Sequence, residues 1–490
     1  TPSYIQYLQS QLKPGAEVAI LPDTMSVENF VESYEALDDF DITLTTQYDP
    51  FDRLIKNRAP LPAEKLYLHE AQFLSESLSE KVRRIRQVMK DEAADVHIIS
   101  TLDDIAWLTN LRGQDVTYNP VFLAFIMITP SSVTLFIDEE KLTPEVKKYL
   151  TEHKVTVFPY DAFYDELGNI PADKTVMLDE KRTTYAALEA IDEECEILYL
   201  PNPSTLFKAQ KSDNDLSHIQ EAMIEDGVAM AHFYTQFEAK LANGERLTEL
   251  DVADGLATER AKRPHFIDLS FDTIAGFNPN GALPHYRATE EDYAVIEGDG
   301  LLLIDSGAQY KNGTTDITRV IPIGQPSTAQ KQDFTFVLKS LIAMSSTIYP
   351  ENIAMPLLDA IARKPLWQHQ LDYGHGTGHG VGYFLNVHEG PQVLSYHAIP
   401  NPQMRVKKGM VTSIEPGIYR EGKWGVRIEN LVTSQPVKDP KERDFGNVML
   451  FETLTLFPID TRIMEPTLLT TDEIEWVNQY HKTVHEKLSP

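Results

Sequence analysis

Helical and strand patterns alternate along the first 200 residues of the chain. The opening segment predicts a helix over YIQYLQSQL, a short strand over EVAILP and a second helical stretch. Two prolines close together in NRAPLPAEKL, from Asn57 to Leu66, indicate a linker. A long amphipathic helix is predicted over SLSEKVRRIRQVMKDEAA, and strands over VHIIS, VFLAFIMIT and SVTLFID. Alternating elements of this kind predict α/β units.

A second boundary is predicted at LPNPS, from Leu200 to Ser204. Beyond it, Ser212 followed by Asp213 and Asp215 is typical of a helix start, and the helix should end near Asn243. The rest of the chain is rich in predicted strands, with glycine turns between apolar runs. The predicted domains are therefore residues 1–57, 58–203 and 204–490.

Charge and cysteine content narrow the range of partners. The 490 residues include 44 Lys plus Arg and 74 Asp plus Glu, which gives a net charge of -30. Because such a surface repels phosphate backbones and anionic lipids, we expect no nucleic acid or membrane partner. The longest apolar run, VFLAFIMI, is far shorter than the roughly 20 residues of a membrane helix. The single cysteine, Cys195, cannot form an internal disulfide, which fits a cytoplasmic protein.

Three histidines are gathered among glycines in YGHGTGHGVGYFLNVHEGP, from Tyr373 to Pro391. They are His375, His379 and His388. Glycine allows tight bends and close approach to the backbone, and neutral imidazole is the commonest protein metal ligand. The stretch therefore predicts a functional site. The alternative is a glycine loop whose histidines only satisfy nearby carbonyl groups.

Two aspartates flank a predicted hairpin in LLLIDSGAQYKNGTTDITRVIPIG, where Asn312-Gly313 is a strong turn signal. In a regular hairpin closed there, Asp316 would face residue 309 and not Asp305. Four residues of strand span roughly 13 Å, too far for ligands of a cluster whose ions lie about 3.5–4 Å apart. A shared site requires either a six-residue loop, AQYKNG, or a bulge near Gly307 or residues 314–315. Otherwise both aspartates are solvated turn residues.

Two glutamates lie in the later strand pattern VTSIEPGIYREGKWGVRIENLV. Glu415 ends an apolar strand that Pro416-Gly417 interrupts. Glu429 lies within the apolar pattern GVRIENLV, where a carboxylate is costly unless it is paired or bound to metal. Arg427 is expected on the opposite face of a regular strand, so the alternative to metal ligation is a salt bridge to some other cation.

Together, DSG with TTDITR, HGTGHGVG with NVHEGP, IEPG and GVRIEN resemble the dinuclear metallopeptidases of the pita-bread fold. Among these, they are most similar to the long, three-domain cytosolic aminopeptidase P branch. DLSFDTIAGFNPNGALPHY and DDIAWLTNLRGQDVTYNPVF extend the resemblance over nearly the whole chain. It implies an α/β (α+β) protein, with a C-terminal pita-bread metallopeptidase domain preceded by creatinase-like α/β domains. It also implies a further stretch before Thr1, so residues 1–57 are expected to form a partial and less stable domain.

The resemblance implies a site with two divalent metal ions. In the family pattern Asp305 chelates one ion, His379 and Glu415 hold the other, and Asp316 and Glu429 bridge both. Four carboxylates with one imidazole suit Mn²⁺, with Zn²⁺ or Co²⁺ as alternatives. The implied catalytic residues are Glu415 as proton acceptor and three histidines outside the ligand set, His285, His375 and His388.

The implied activity is release of the N-terminal residue from peptides that begin Xaa-Pro, by a cytoplasmic homodimer formed through the catalytic domains. A prolidase, which would accept only Xaa-Pro dipeptides, is one alternative. A binding module that has lost catalysis is another. The presence of all five ligand residues argues against the binding module.

Overall fold

The computed structural model describes residues 3–49, 51–57, 59–438, 444 and 446–489. Contacts divide the chain into two compact units. Unit 1 comprises Thr1–His69, Glu76–Val116 and Val121–Thr205, and unit 2 comprises Glu70–Ser75, Thr117–Pro120 and Leu206–Pro490. Residues 1–57 belong to unit 1, and the division into three domains stays a prediction. Within the described residues, no helix is long and apolar enough to cross a lipid bilayer.

Unit 1 contains the predicted helix–strand alternation. The helices are α1 Tyr4–Gln11, α2 Val27–Asp38, α3 Phe51–Leu54, α4 Leu78–Asp91, α5 Leu102–Thr109, α6 Pro144–Glu152, α7 Phe163–Gly168 and α8 Tyr185–Glu189, with α9 Pro203–Ala209 crossing into unit 2. The strands are β1 Glu17–Ala19, β2 Thr43–Thr45, β3 Tyr67–Leu68, β4 Val96–Ile99, β5 Leu111–Arg112, β6 Phe125–Ile128, β7 Val133–Phe136, β8 Val155–Phe158, β9 Thr175–Leu178 and β10 Glu196–Tyr199.

A mixed six-stranded sheet in the order β10-β9-β4-β6-β7-β8 forms the centre of unit 1. The amphipathic helix predicted before it is confirmed as α4, which begins with a capping box between Ser77 and Glu80. The strand predicted over VFLAFIMIT is shorter than expected, since it covers only β6. Cys195 is buried, and burial raises the pKa of its thiol, as suits a structural residue.

Unit 2 is built from antiparallel strands and long helices. The helices are α10 Asp213–Ala242, α11 Glu249–Arg260, α12 Thr328–Ser345, α13 Asp359–Trp367 and α14 Thr471–Leu488. The strands are β11 Phe266–Leu269, β12 Ile274–Phe277, β13 Gly300–Ser306, β14 Ala308–Tyr310, β15 Gly313–Thr314, β16 Ile317–Ile323, β17 Ile348–Pro350, β18 Gly378–Gly380, β19 Glu389–Leu394, β20 Val411–Ile414, β21 Gly417–Arg420, β22 Trp424–Arg427, β23 Asn430–Pro436 and β24 Val448–Thr453.

The helix predicted from Ser212 is confirmed as α10. Ser212 caps its N-terminus in a capping box with Asp215, and the helix ends at Ala242, just before Asn243. This helix and α11 pack against the sheet β12-β13-β16.

Strand β13 lies at the centre of unit 2 and is packed on both faces. Its run GLLLIDS is buried throughout, because both faces of the sheet are covered. Leu302 and Ile304 pack with α10 and α11, whereas Leu301 and Leu303 pack with α12 on the opposite face. Each such side chain contributes about 1.5–3 kcal/mol on burial. Asp305 is the sixth residue of this run and is therefore held near the end of a strand packed on both faces.

The predicted hairpin turns one residue earlier than expected, at Lys311 and Asn312, because Tyr310 lies opposite Gly313. Gly313 is needed for packing: a Cβ there would lie 2.9 Å from the Cβ of Ala222 on α10. In the observed register Asp305 faces Thr318, so it is offset from Asp316 by two residues and not four. Two residues correspond to roughly 7 Å of strand.

The hairpin also changes sheets part-way along its length. Strands β13 and β16 pair with each other in a sheet whose third strand is β12, whereas β14 and β15 pair with each other in a sheet whose third strand is β11. The break falls at Gly307 on one strand and at Thr315-Asp316 on the other, and a Cβ on Gly307 would lie 2.0 Å from the carbonyl oxygen of Thr315. Of the two predicted irregularities, the six-residue loop is wrong, and the break lies where the bulge was expected.

Candidate metal centre and active site

The five predicted ligand side chains line one cavity of about 530 Å³ in unit 2. Each lies at a strand or at the end of one, where the backbone holds it. Asp305 lies in β13, Asp316 directly before β16, His379 in β18, Glu415 directly after β20, and Glu429 between β22 and β23. Asp305 and Asp316 are buried, so they are not solvated turn residues.

His379 is held in a defined orientation by the glycines around it. A Cβ on Gly378 would lie 1.8 Å from the carbonyl oxygen of Ser413 on β20, so only glycine permits this packing. The His379 N–H donates to the Ser413 hydroxyl at 3.0 Å, and its Nδ1 lies 2.9 Å from the carbonyl oxygen of Gly380. With Nδ1 as the donor, Nε2 is free to act as a metal ligand.

The Nε2 atom of His379 faces the carboxylates. It lies 3.6 Å from an oxygen of Asp316 and 3.4 Å from an oxygen of Glu415. Ligand atoms of Asp316, His379 and Glu429 all lie within 4.8 Å of one another. Three sequence segments distant from one another thus bring their ligand atoms to a single point.

Glu429 is fixed by its neighbour on β16. The Thr318 hydroxyl donates to Glu429 Oε2 at 2.8 Å, and the Glu429 N–H donates to the Thr318 carbonyl at 3.1 Å. Among the described residues no Lys or Arg forms an ion pair with the Glu429 carboxylate, and Oε1 is buried without a hydrogen-bond partner. The salt-bridge alternative therefore does not account for this buried charge.

Arg427 is the cation of the site, and the expectation that it lies on the face opposite Glu429 is wrong, because both side chains line the cavity. Its guanidinium donates to Asp305 Oδ2 at 2.6 Å, to the Tyr419 hydroxyl at 2.8 Å and to the Thr318 hydroxyl at 3.2 Å. The available signal was spacing, because residues two apart in a strand share a face and Arg427 is two before Glu429. Arg427 thus links two of the acidic side chains, one directly and the other through Thr318.

The carboxyl groups of Asp316, Glu415 and Glu429 resist ionisation. Burial raises the pKa of Glu415 to about 8, with Asp305 adding to the effect and Arg427 opposing it. Burial also raises the pKa of Asp316 and of Glu429 well above the ordinary range, and neighbouring carboxylates add to both shifts. Protein groups alone therefore leave the negative charge of this cluster under-compensated.

The cluster has the properties of a divalent-metal site. Asp305 Oδ1 and Glu429 Oε1 are buried oxygens without hydrogen-bond partners, and such atoms are normally satisfied. A divalent cation would complete their coordination and neutralise the mutual repulsion of the carboxylates. The donor set of four carboxylates and one imidazole is suited to hard or borderline divalent ions.

The three other predicted histidines also line the cavity. The ring of His388 lies 4.3 Å from that of His379, centroid to centroid. His375 Nε2 lies 2.8 Å from the Tyr419 hydroxyl, and its Nδ1 lies 2.7 Å from the Gly376 carbonyl oxygen. Burial lowers the pKa of His375 and of His388 to about 4, so both are neutral at pH 7. The apolar part of the wall includes Phe271, Ile274, Pro284 and Val393.

Three family models match successive parts of the chain. The Creatinase/Prolidase N-terminal domain matches residues 57–215, and metallopeptidase family M24 matches residues 217–435. The C-terminal region of peptidase M24 matches residues 447–490.

Similar proteins are found by sequence and by structure. A protein of Ajellomyces dermatitidis named "Probable Xaa-Pro aminopeptidase P" is 36% identical over 506 residues, covering 100% of this chain and 81% of its own. The X-prolyl aminopeptidase of Caenorhabditis elegans, described as a cytosolic enzyme with a di-nuclear active site, superposes with a TM-score of 0.94 at 30% identity, covering 100% and 80%. An Xaa-Pro dipeptidase from Bacillus anthracis shares the fold, with a TM-score of 0.62 at 23% identity. The match covers 78% of this chain and 99% of the dipeptidase.

Proposed function

The chain belongs to metallopeptidase family M24, and from this premise we propose that it is a metal-dependent aminopeptidase acting on Xaa-Pro peptides. It releases the N-terminal residue from peptides whose second residue is proline. The observation that carries the proposal is the cavity in which the ligand atoms of Asp316, His379 and Glu429 lie within 4.8 Å of one another. The similarity to aminopeptidase P, which extends over all of the given chain, supports the choice of substrate.

Five residues of this chain would hold two divalent ions. Asp305 would bind one ion and His379 with Glu415 the other, while Asp316 and Glu429 would bridge them. The unpartnered oxygens of Asp305 and Glu429 support this assignment. We propose Mn²⁺ as the native metal, because carboxylate oxygens predominate. Bound metal would supply an activated water at neutral pH and polarisation of the substrate carbonyl.

The chain's own residues would move the proton and hold the oxyanion. Glu415 lies beside His379 and would accept the proton of the attacking water and deliver it to the leaving nitrogen. His388 is neutral at pH 7 and can donate an N–H to the oxygen that develops negative charge. His285, which lines the same cavity, would hold the substrate carbonyl.

Proline at the second position explains why a dedicated enzyme is needed. The Xaa-Pro bond has no N–H, and it populates both cis and trans forms. Peptidases that recognise that N–H lose a contact with such substrates. A site that binds the substrate carbonyl through histidines and metal ions does not need an N–H at this bond.

We expect the metal-loaded protein to cleave Xaa-Pro-Yaa tripeptides faster than Xaa-Pro dipeptides. The reason is that an aminopeptidase groove must accommodate residues beyond proline, whereas a prolidase closes that end. Chromatographic measurement of released Xaa from the two substrates tests this, with an Xaa-Ala-Yaa peptide as control. Dipeptide-only cleavage would favour the prolidase. A protein that binds peptide but retains no metal and cleaves neither substrate would favour the binding module.

We further propose a cytoplasmic homodimer formed through unit 2, with no nucleic acid or membrane partner. Support comes from exposed apolar side chains close in sequence to residues of the cavity wall. Trp367 and Tyr396 are 44% and 47% exposed with their rings 6.3 Å apart, and Ile399 is 86% exposed. Exposed apolar side chains of this size are more typical of an interaction surface when they lie together.

Light scattering of the purified protein should give twice the 55.5 kDa chain mass. Ile399→Glu should shift the mass toward that of a single chain, because a charge in an apolar interface is costly. Ile474→Glu, at a 40% exposed position on α14, is the control and should leave the mass unchanged. A monomer with full tripeptidase activity in the unmodified protein would contradict the dimer.

A further inference from the structure

Glu249, at the first residue of α11, is a buried carboxylate that the proposed mechanism does not use. Its side chain is 0% exposed. Four neutral groups donate hydrogen bonds to it. They are the Phe277 N–H at 2.7 Å, the Asn280 amide at 3.1 Å, the Tyr286 hydroxyl at 2.9 Å and the Ala294 N–H at 2.7 Å.

All four donors belong to one stretch, residues 277–294. Phe277 and Ala294 are its two ends, so a single carboxylate fastens both ends of the loop. Asn280 and Tyr286 are held between them. The same stretch packs tightly on β22, where a Cβ on Gly425 would lie 1.7 Å from the carbonyl oxygen of Gly281.

The stretch carries His285, which lines the active-site cavity next to Pro284. The His285 side chain is exposed, and among the described residues no hydrogen bond to its ring is found. Its position therefore depends on the backbone on either side. Tyr286, the next residue, is the one whose hydroxyl reaches Glu249.

We propose that Glu249 is a positioning residue, which sets His285 in the cavity by fastening the 277–294 loop at both ends and beside the histidine. This inference rests on the proposed function, since the role of His285 is to hold the substrate carbonyl. Glu249 touches neither substrate nor metal and acts through the loop. Small displacements of such a group cost rate, and about 1 Å can cost on the order of 10²-fold.

Glu249→Gln tests the proposal, because glutamine keeps the volume but turns one acceptor oxygen into a donor facing other donors. In the Mn²⁺-loaded enzyme we expect kcat on Xaa-Pro-Yaa to fall about 10- to 100-fold with metal content unchanged. Tyr286→Phe, which removes one of the bonds, should give a smaller loss in the same direction. Asp251→Asn is the matched control. It weakens the capping box that Asp251 forms with Thr248 at the start of α11, and it should leave kcat unchanged.

A double-mutant cycle separates positioning from general stability. In a His285→Ala background, Glu249→Gln should cause no further loss of kcat, because the group it positions is absent. If the two losses multiply, or if Asp251→Asn lowers kcat as much as Glu249→Gln, the positioning role is refuted.

Amide hydrogen exchange provides a readout that does not need activity. Peptides covering 277–294 should exchange faster in Glu249→Gln than in the unmodified protein, while those of α12 should not change. Unchanged exchange in 277–294 would refute the positioning role of Glu249 even if the enzyme is active. Failure of the unmodified protein to cleave any Xaa-Pro peptide would refute the proposed function. The exchange rates of 277–294 would then decide by themselves whether Glu249 holds the loop.

Discussion

Replacing His379 with alanine is expected to empty the metal site and remove nearly all peptide hydrolysis. His379 supplies the cluster's imidazole ligand, and its Nε2 lies within 3.6 Å of both Asp316 and Glu415. Without that nitrogen, the ion that His379 and Glu415 would hold loses one of its ligands, and affinity for metal should fall steeply. Elemental analysis after dialysis, with tripeptide turnover on the same sample, measures both effects.

His388→Ala is the matched comparison, because its ring lies only 4.3 Å from that of His379 and has the same chemistry. We expect this variant to keep its metal and lose about 10²–10³-fold in kcat, as for loss of one oxyanion donor. If His388→Ala lost the metal while His379→Ala retained it, the two roles would be reversed. Equal metal loss in both would argue against any distinction between ligand and donor.

The predicted ligands and histidines that line the cavity each lie in a short motif of the local sequence, and their roles stay predictions. The glycines of HGTGHG, the proline after Glu415 and the Asn-Gly of the hairpin all mark places where the backbone departs from regular structure. Similarity to a known family then ordered these motifs into one site. The fold of unit 2 followed from the same resemblance and from the strand pattern.

Register and long-range contacts were not predictable from local pattern. The turn was assigned to Asn312-Gly313, but Gly313 is a glycine because α10 passes too close for a side chain. That requirement comes from Ala222, which is distant in sequence. Similarly, an acid at the first turn of α11 indicates only a favourable helix start. Its contacts with Phe277 and Ala294 are set by the folding of the intervening segment.

The free energy of unfolding of the metal-free protein is expected to fall as pH rises from 6.5 to 8. Buried Glu415 has a folded pKa of about 8, and Asp316 and Glu429 are raised further. The ordinary value for an unfolded glutamate is about 4.3. In this interval the folded metal-free state therefore binds more protons than the unfolded state, and stability must fall with increasing pH.

The interval from pH 6.5 to 8 lies above the range in which the buried histidines change the free energy of unfolding most. Burial lowers the folded pKa of His375 and of His388 to about 4, whereas unfolded histidine titrates near 6.5. These two groups make stability rise with pH between about 4 and 6.5 and contribute little above it. From pH 6.5 upward the carboxylates of the site dominate the proton balance.

Urea unfolding of chelator-treated protein at pH 6.5, 7.25 and 8 measures this slope directly. Added Mn²⁺ should reverse it, because the bound ion favours ionised carboxylates. The stabilisation should reach about 4 kcal/mol for each bound ion at a free metal concentration 1,000 times its Kd. Glu429→Gln removes one titrating carboxyl, so its metal-free form should show a shallower dependence on pH. A metal-free protein whose stability rises from pH 6.5 to 8 would mean that the four carboxylates are already neutralised by the protein, and the case for a metal in this cavity would fail.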